Sequence, residues 1–149
     1  MFAQMLPANA YVTYRARLAA FLQIPVDASE QEIHRLIEVG FPATTLKTLC
    51  ELGQISPAEC DQILARKTLA TLLARGQRLT VGESGQLFRL VHIIAMAEAL
   101  FGNEEKARRW LCKIKTELSG QTPMVMLSTF PGTRRVEEML IQVAEGFAF

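Results

Sequence analysis

The sequence has almost no excess charge of either sign. Its sixteen Lys and Arg residues are balanced by fifteen Asp and Glu residues, which leaves a formal net charge of +1. Such a chain has no global positive field to attract nucleic acid. Any signal for nucleic-acid binding must therefore be local.

Residue patterns typical of metal sites and enzymes are also scarce. Cys50, Cys60 and Cys112 form an odd set without CxxC spacing, which predicts buried thiols in a reducing cytosol. His34 and His92 have no Cys, His or carboxylate at ligand spacing, so we expect no metal. No Ser or Cys has an evident base partner, and no GxSxG motif occurs. We therefore predict that the chain is not an enzyme and needs no cofactor.

Segments for export or membrane insertion are missing as well. The N-terminal residues include no basic stretch before the apolar ones, and Pro7 interrupts them, unlike a signal peptide. The most apolar run, residues 91–101, contains His92 and Glu98 and is too short to cross a bilayer. We expect a soluble, cytoplasmic protein with no membrane partner.

Helical periodicity is abundant, whereas strand-type alternation is absent. Ser29–Glu32, Ser56–Glu59 and Thr80–Glu83 have the spacing of capping boxes, which mark helix starts. The longest predicted helix ends at Phe101 and is apolar on two faces, so it should run through the middle of the molecule. The sequence therefore predicts an all-α fold, with a boundary near residue 80 that separates domains 1–80 and 81–149.

The strongest local signal for function lies in residues 56–78. Two short helices joined by a turn are predicted there, and no acidic residue occurs between Asp61 and Glu83. In a helix-turn-helix the second helix enters the major groove with its N-terminus first. We therefore predict a set of DNA-binding residues in and just after the second helix: Arg66, Lys67, Thr68, Thr71, Arg75 and Arg78. The alternative is a solvated basic face on an ordinary helix whose Leu69, Leu72 and Leu73 lie in the core.

Three segments in fixed order resemble a known family. They are Ala-Leu-Phe-Gly at residues 99–102 with residues 106–111 behind it, then residues 120–127, then residues 136–146. Together they resemble the C-terminal toxin-binding domain of the Xre/MbcA/ParS antitoxins. Residues 65–93 resemble the linking region of Xre antitoxins paired with RES-domain toxins, in which the recognition helix leads into the toxin-binding half.

This resemblance implies an antitoxin of a type II toxin–antitoxin system. Residues 1–80 would form an Xre-like helix-turn-helix domain that binds operator DNA as a homodimer and regulates its own operon. Residues 81–149 would bind and neutralise a RES toxin. Such toxins resemble ADP-ribosyltransferases and consume NAD, so the NAD chemistry would belong to the partner.

The C-terminal residues are the candidates for contact with the toxin. The last predicted helix presents apolar residues for packing, and an aromatic tail follows it, which suits occlusion of a concave active site. The predicted toxin-binding residues are Trp110, Arg134, Arg135, Gly146, Phe147 and Phe149. Alternatively, the tail folds back onto its own core.

Two other functions remain open on the sequence. The chain could be a stand-alone helix-turn-helix transcriptional regulator, or a helical adaptor that binds protein partners only. A toxin gene next to this one would argue against the first, and affinity for its own promoter would argue against the second.

Overall fold

Helices account for the regular structure of this chain. The computed structural model describes residues 2–149, and over that range it contains α-helices, two 3₁₀ helices and no strands, which confirms the predicted all-α fold. The α-helices in this range are α1 (Ala8–Leu22), α2 (Glu30–Val39), α3 (Ala43–Glu51), α4 (Pro57–Ile63), α5 (Arg66–Ala74), α6 (Val81–Phe101), α7 (Glu104–Leu111), α8 (Pro123–Met126) and α9 (Phe130–Ala144). The 3₁₀ helices are Phe2–Met5 and Thr116–Leu118.

The helix starts follow the predicted caps. The Ser56 hydroxyl accepts from the Glu59 N–H at 3.2 Å, and the Glu59 carboxylate accepts from the Ser56 N–H at 3.3 Å. Thr80 and Glu83 make the same reciprocal pair, with distances of 3.1 and 2.9 Å. Each box gives partners to backbone N–H groups that a helix start leaves unpaired. The predicted box at Ser29 caps α2 through the Ser29 hydroxyl alone.

The chain folds into two compact units. One contains the residues up to Ala20 together with Arg89–Phe149, and the other is Phe21–Phe88. The division falls inside α1 and α6. The predicted domains 1–80 and 81–149 are defined by function: the first is expected to bind DNA and the second to bind toxin. That assignment stays a prediction.

The unit Phe21–Phe88 is built around α3, which packs against both α4 and α5. Its core consists of buried aliphatic and aromatic side chains: Ile33, Phe41, Leu46, Leu49, Ile55, Ile63, Leu79 and Leu87. The Ser84 hydroxyl accepts from the Phe41 N–H at 2.9 Å and so fixes the start of α6 beside the α2–α3 connection.

The expectation of three buried thiols is wrong. Cys50, near the end of α3, and Cys60, in α4, form a disulfide with their Cα atoms 6.4 Å apart, and Cys112 is an exposed free thiol. The segment between the paired cysteines contains a tight turn after α3 and the cap of α4, which bring the two helices together. Sequence spacing without CxxC carried no signal for this pairing.

The other unit is built around the second half of α6. Residues 90–98 of that helix are buried on all sides, as its two apolar faces predicted. By length and composition alone α6 could cross a membrane, but most of it is buried inside the protein, as in the core helix of a soluble protein. On α1, Val12 is 68% exposed, whereas Tyr14 is buried.

Buried polar groups on α6 are paired with other helices of the same unit. Tyr14 Oη lies 2.6 Å from His92 Nδ1, and His92 Nε2 lies 3.3 Å from Glu137 Oε2. A carboxylate can only accept, so in a neutral imidazole Nε2 carries the proton that faces Glu137 and Nδ1 accepts from the tyrosine hydroxyl. These interactions join α1, α6 and α9.

Glu98 is another buried polar group on α6. Its carboxylate lies 3.3 Å from the Arg17 guanidinium, which also binds Glu104 at 2.9 Å. Burial raises the pKa of Glu98 above its ordinary value, and the positive charge of Arg17 only partly opposes this shift. A raised pKa means that the folded state favours the protonated carboxyl of Glu98. The stability that this gives is fully present below the pKa of Glu98 in the unfolded chain. It is lost as pH rises through the higher pKa of Glu98 in the folded protein.

Replacing Glu98 with Gln should therefore stabilise the protein at neutral pH. The neutral amide avoids the cost of burying a charge, while Arg17 keeps Glu104. We expect the melting temperature of Glu98→Gln to exceed that of the parent by about 2 °C at pH 7.5, with a smaller difference at pH 4.5. Thermal unfolding followed by circular dichroism measures this, with Glu145→Gln, an exposed glutamate of the same unit, as control. A variant less stable than the parent at pH 7.5 would show that the Arg17 ion pair outweighs desolvation.

Candidate functional site

The helix pair α4–α5 has the predicted short connection. α4 is followed by Leu64, which has extended backbone, and Ala65 is also extended before α5 begins at Arg66. Within the described part of the chain, no side chain caps the start of α5. The first N–H groups of α5 therefore remain open to an external acceptor such as a phosphate oxygen.

None of the nine residues of α5 is buried. Arg66, Lys67, Thr68, Thr71 and Arg75 are all exposed, as a surface that binds DNA requires. The Thr71 hydroxyl donates to the Lys67 carbonyl at 3.1 Å within the helix. The leucines of α5, which the alternative interpretation places in the core, lie on the side that packs against α3 and are only half-buried: Leu69, Leu72 and Leu73.

Arg78 differs from the other predicted DNA-binding residues. Its Nη1 donates to the Gly40 carbonyl at 2.8 Å, and the Leu79 N–H donates to the Phe41 carbonyl at 2.9 Å. Gly40 has φ +93°, and a Cβ there would collide with the Leu79 carbonyl. Arg78 therefore holds the chain after α5 against the α2–α3 connection, and this structural role is one that sequence reasoning missed.

Residues 104–146 form a series of capped helices in the other unit. Asn103, Thr122 and Thr129 each accept a backbone N–H through their side chains at the starts of α7, α8 and α9. At Gly132 the backbone of α9 lies directly against the Met126 carbonyl of α8, where a Cβ would not fit. The cap Thr129 places the start of α9 at Phe130.

Trp110 lies in the interior of this unit and is 8% exposed. Its ring packs 6.0 Å from the Phe101 ring, and the Lys115 ammonium lies 4.7 Å from its centroid, within cation–π range. Lys115 is itself buried, and this burial lowers the pKa of its ammonium group, with the nearby Lys113 adding to the effect. Only a small edge of Trp110 is open to a partner.

The C-terminal tail is partly anchored and partly exposed. The Phe147 N–H donates to the Gln142 carbonyl at 3.0 Å, and the Lys115 ammonium donates to the Phe149 carbonyl at 3.4 Å. The Phe147 and Phe149 rings stack with centroids 6.5 Å apart. Phe147 is 58% exposed, whereas Phe149 is half-buried. Gly146, with φ +100°, turns the chain from α9 into this tail.

The two arginines at the start of α9 lie in different environments. Arg134 is exposed, and the half-exposed Arg135 has its Nη1 4.0 Å from a Glu138 carboxylate oxygen, an i, i+3 pair of little energetic weight. Trp110, Arg134, Arg135 and the tail thus belong to one unit, and their interaction with a toxin stays a prediction.

The Tyr14–His92–Glu137 chain has the residue types of a proton relay, which the sequence did not reveal. Its members come from three helices, so no local motif marks them. All three side chains are buried. Among residues 2–149, no group of His, Cys, Asp and Glu side chains is placed to hold a metal ion.

Known proteins resemble this chain both in its C-terminal part and over its whole length. Residues 96–146 match the sequence profile of the Antitoxin Xre/MbcA/ParS C-terminal toxin-binding domain. The whole chain is similar to a protein of Pseudomonas putida named Antitoxin Xre, with 54% identity over 147 residues, which cover 99% of this chain and 92% of that relative.

Proposed function

This chain belongs to the Xre antitoxin family, and we propose that it neutralises a RES-type toxin by covering its active site and binds operator DNA as a homodimer to regulate its own operon. Antitoxin function and a toxin partner follow from the family. The RES identity of the toxin, its consumption of NAD, the DNA-binding activity, the homodimer and the cytoplasmic location are proposed. This chain would act by binding alone.

The exposed α5 is the observation that supports DNA binding. A nine-residue helix with no buried residue, an uncapped N-terminus and exposed basic side chains at both ends is poorly explained by packing within its own unit. Its start combines Arg66 and Lys67 with unpaired backbone N–H groups, which suits binding to phosphates and base edges. Arg75 lies at the end of the helix, where the flanking backbone of the duplex would pass.

Removing the two basic side chains at the start of α5 should weaken operator binding. We expect Arg66→Ala/Lys67→Ala to raise the dissociation constant for operator DNA about tenfold. The slope of log K against log salt should fall by about one for each phosphate group that the variant no longer neutralises. Fluorescence anisotropy with labelled operator over a salt series measures both quantities, and toxin neutralisation should be unchanged.

Arg35→Ala is the matched control, because Arg35 is an exposed arginine of the same unit but lies on α2. Arg78→Ala is unsuitable as a probe of DNA binding, since it also removes the hydrogen bond to Gly40. If the double variant binds operator like the parent, α5 is a solvated basic face, and an adaptor that binds only proteins becomes the better description.

Toxin binding is assigned to the other unit because the matched toxin-binding segment lies there. That segment contains Trp110, Arg134, Arg135 and Gly146, and the aromatic tail follows directly after it. Phe147 presents a largely exposed ring on an anchored backbone, so little conformational entropy would be lost when a partner covers it. An aromatic side chain that becomes buried when the complex forms often dominates the affinity of an interface.

Removing the tail should release toxicity. We expect cells that co-express the toxin with a chain lacking residues 146–149 to stop growing, while the truncated protein remains folded. Phe147→Ala should raise the dissociation constant for the toxin at least about tenfold, as for a hot-spot residue. Growth assays and calorimetric titration of toxin measure these effects.

Phe130→Ala provides the matched control for the tail, because Phe130 is a phenylalanine exposed to a similar extent at the opposite end of α9. Arg134→Ala/Arg135→Ala tests the arginines separately. Full neutralisation by the truncated chain would place the inhibitory interaction elsewhere, at Trp110 or within residues 120–127.

The protein should be at least a dimer in solution. Helix-turn-helix modules read paired half-sites about one turn of DNA apart, and two copies are needed to hold that spacing. Sedimentation equilibrium at micromolar concentration should give at least twice the chain mass of 16.6 kDa. A 16.6 kDa species alone would contradict the homodimer.

A further inference from the structure

The disulfide Cys50–Cys60 lies next to the helix proposed to bind DNA. Both cysteines line a surface cavity of about 260 Å³, and its lining also includes Arg66 and Leu69 of α5. Cys50 is half-buried and Cys60 is buried. The disulfide is therefore within reach of a small reductant that enters the cavity.

The placement of α5 depends on the two helices that the disulfide joins. α5 has no buried residue of its own, packs against α3 through half-buried leucines, and follows α4 after only Leu64 and Ala65. α3 thus supports α5 from the side, and α4 fixes its start. The covalent bond between Cys50 in α3 and Cys60 in α4 limits how far these two supports can separate.

We propose that Cys50 and Cys60 form a redox-sensitive site that controls operator binding: the oxidised pair holds α5 in the arrangement that binds DNA, and reduction weakens this binding. The proposal rests on the DNA-binding function proposed above. It is favoured by the expected cytoplasmic location, because disulfides in that compartment are usually transient and often sense redox state. Toxin binding should not respond, since the unit that carries it contains only Cys112.

The redox step is thiol–disulfide exchange with a dithiol. One thiolate of the reductant attacks Cys50 Sγ, the bond to Cys60 Sγ breaks, and Cys60 leaves as a thiolate that takes up a proton. The second thiol of the reductant, as its thiolate, then attacks the reductant sulfur that is bound to Cys50 Sγ in the mixed disulfide. Cys50 leaves as a thiolate, which takes up a proton. In total two electrons and two protons pass from the dithiol, which becomes a cyclic disulfide, to the protein.

The experiment compares oxidised and reduced protein in a Cys112→Ser background, which removes the exposed thiol that could link two chains. Free thiols are counted under denaturing conditions, and affinity for labelled operator DNA is measured with and without dithiothreitol. We expect no free thiol in the oxidised protein and two in the reduced one, with operator binding about tenfold weaker after reduction. Hydrogen exchange should become faster in α5, and affinity for the toxin should stay the same in both states.

Cys50→Ser/Cys60→Ser in the same background should bind operator as weakly as the reduced protein and should not respond to dithiothreitol. Circular dichroism and toxin binding show whether this variant is folded. If it is not, the comparison of oxidised and reduced parent protein decides the question alone.

Equal operator affinity in the two redox states would overturn the proposal while leaving DNA binding intact. Two free thiols in protein kept without reductant would overturn the proposal as well, because there would then be no disulfide to reduce. Absence of operator binding in both states would instead refute the DNA-binding function, and the redox control of it would fall at the same time.

Discussion

The buried imidazole of His92 is the constraint on which the packing of its unit depends. A buried polar ring lowers stability unless both of its nitrogens find partners. Tyr14 and Glu137 supply these partners from α1 and α9, helices far apart in sequence. Apolar contacts around α6 have no preferred direction, whereas these two polar contacts need particular atoms of each helix to meet. They therefore tie α1, α6 and α9 together at defined positions.

Much of the helix order could be predicted because its signals are local. A Ser or Thr followed three residues later by Glu, as at Ser56 and Thr80, stabilises a helix start whatever the rest of the chain does. The His92 network and the exposure of Val12 depended instead on which helices meet in space. Periodicity identifies the apolar side of a helix such as α1. It does not tell which residues at the edges of that side are buried by other helices.

The candidate site shows the same division between local and distant information. The basic character and short turn of α4–α5 were evident from the sequence, because charge and helix-capping patterns act over a few residues. The bond from Arg78 to Gly40 spans 38 residues and gives a predicted DNA-binding residue a structural role. The Cys50–Cys60 bond was missed for a related reason: its geometry depends on how α3 and α4 cross. Trp110 shows the opposite case: the sequence suggested a side chain available to a toxin, but the structure buries most of that side chain.

The close approach at Gly132 has a mechanical consequence for any complex. Where two helices meet through side chains, rotamer changes can absorb a small displacement of one helix without moving the other. At Gly132 the backbone of α9 touches the backbone of α8, and no side chain lies between them to absorb such a displacement. A partner that binds α8 would therefore also hold the start of α9, the helix whose far end carries the aromatic tail.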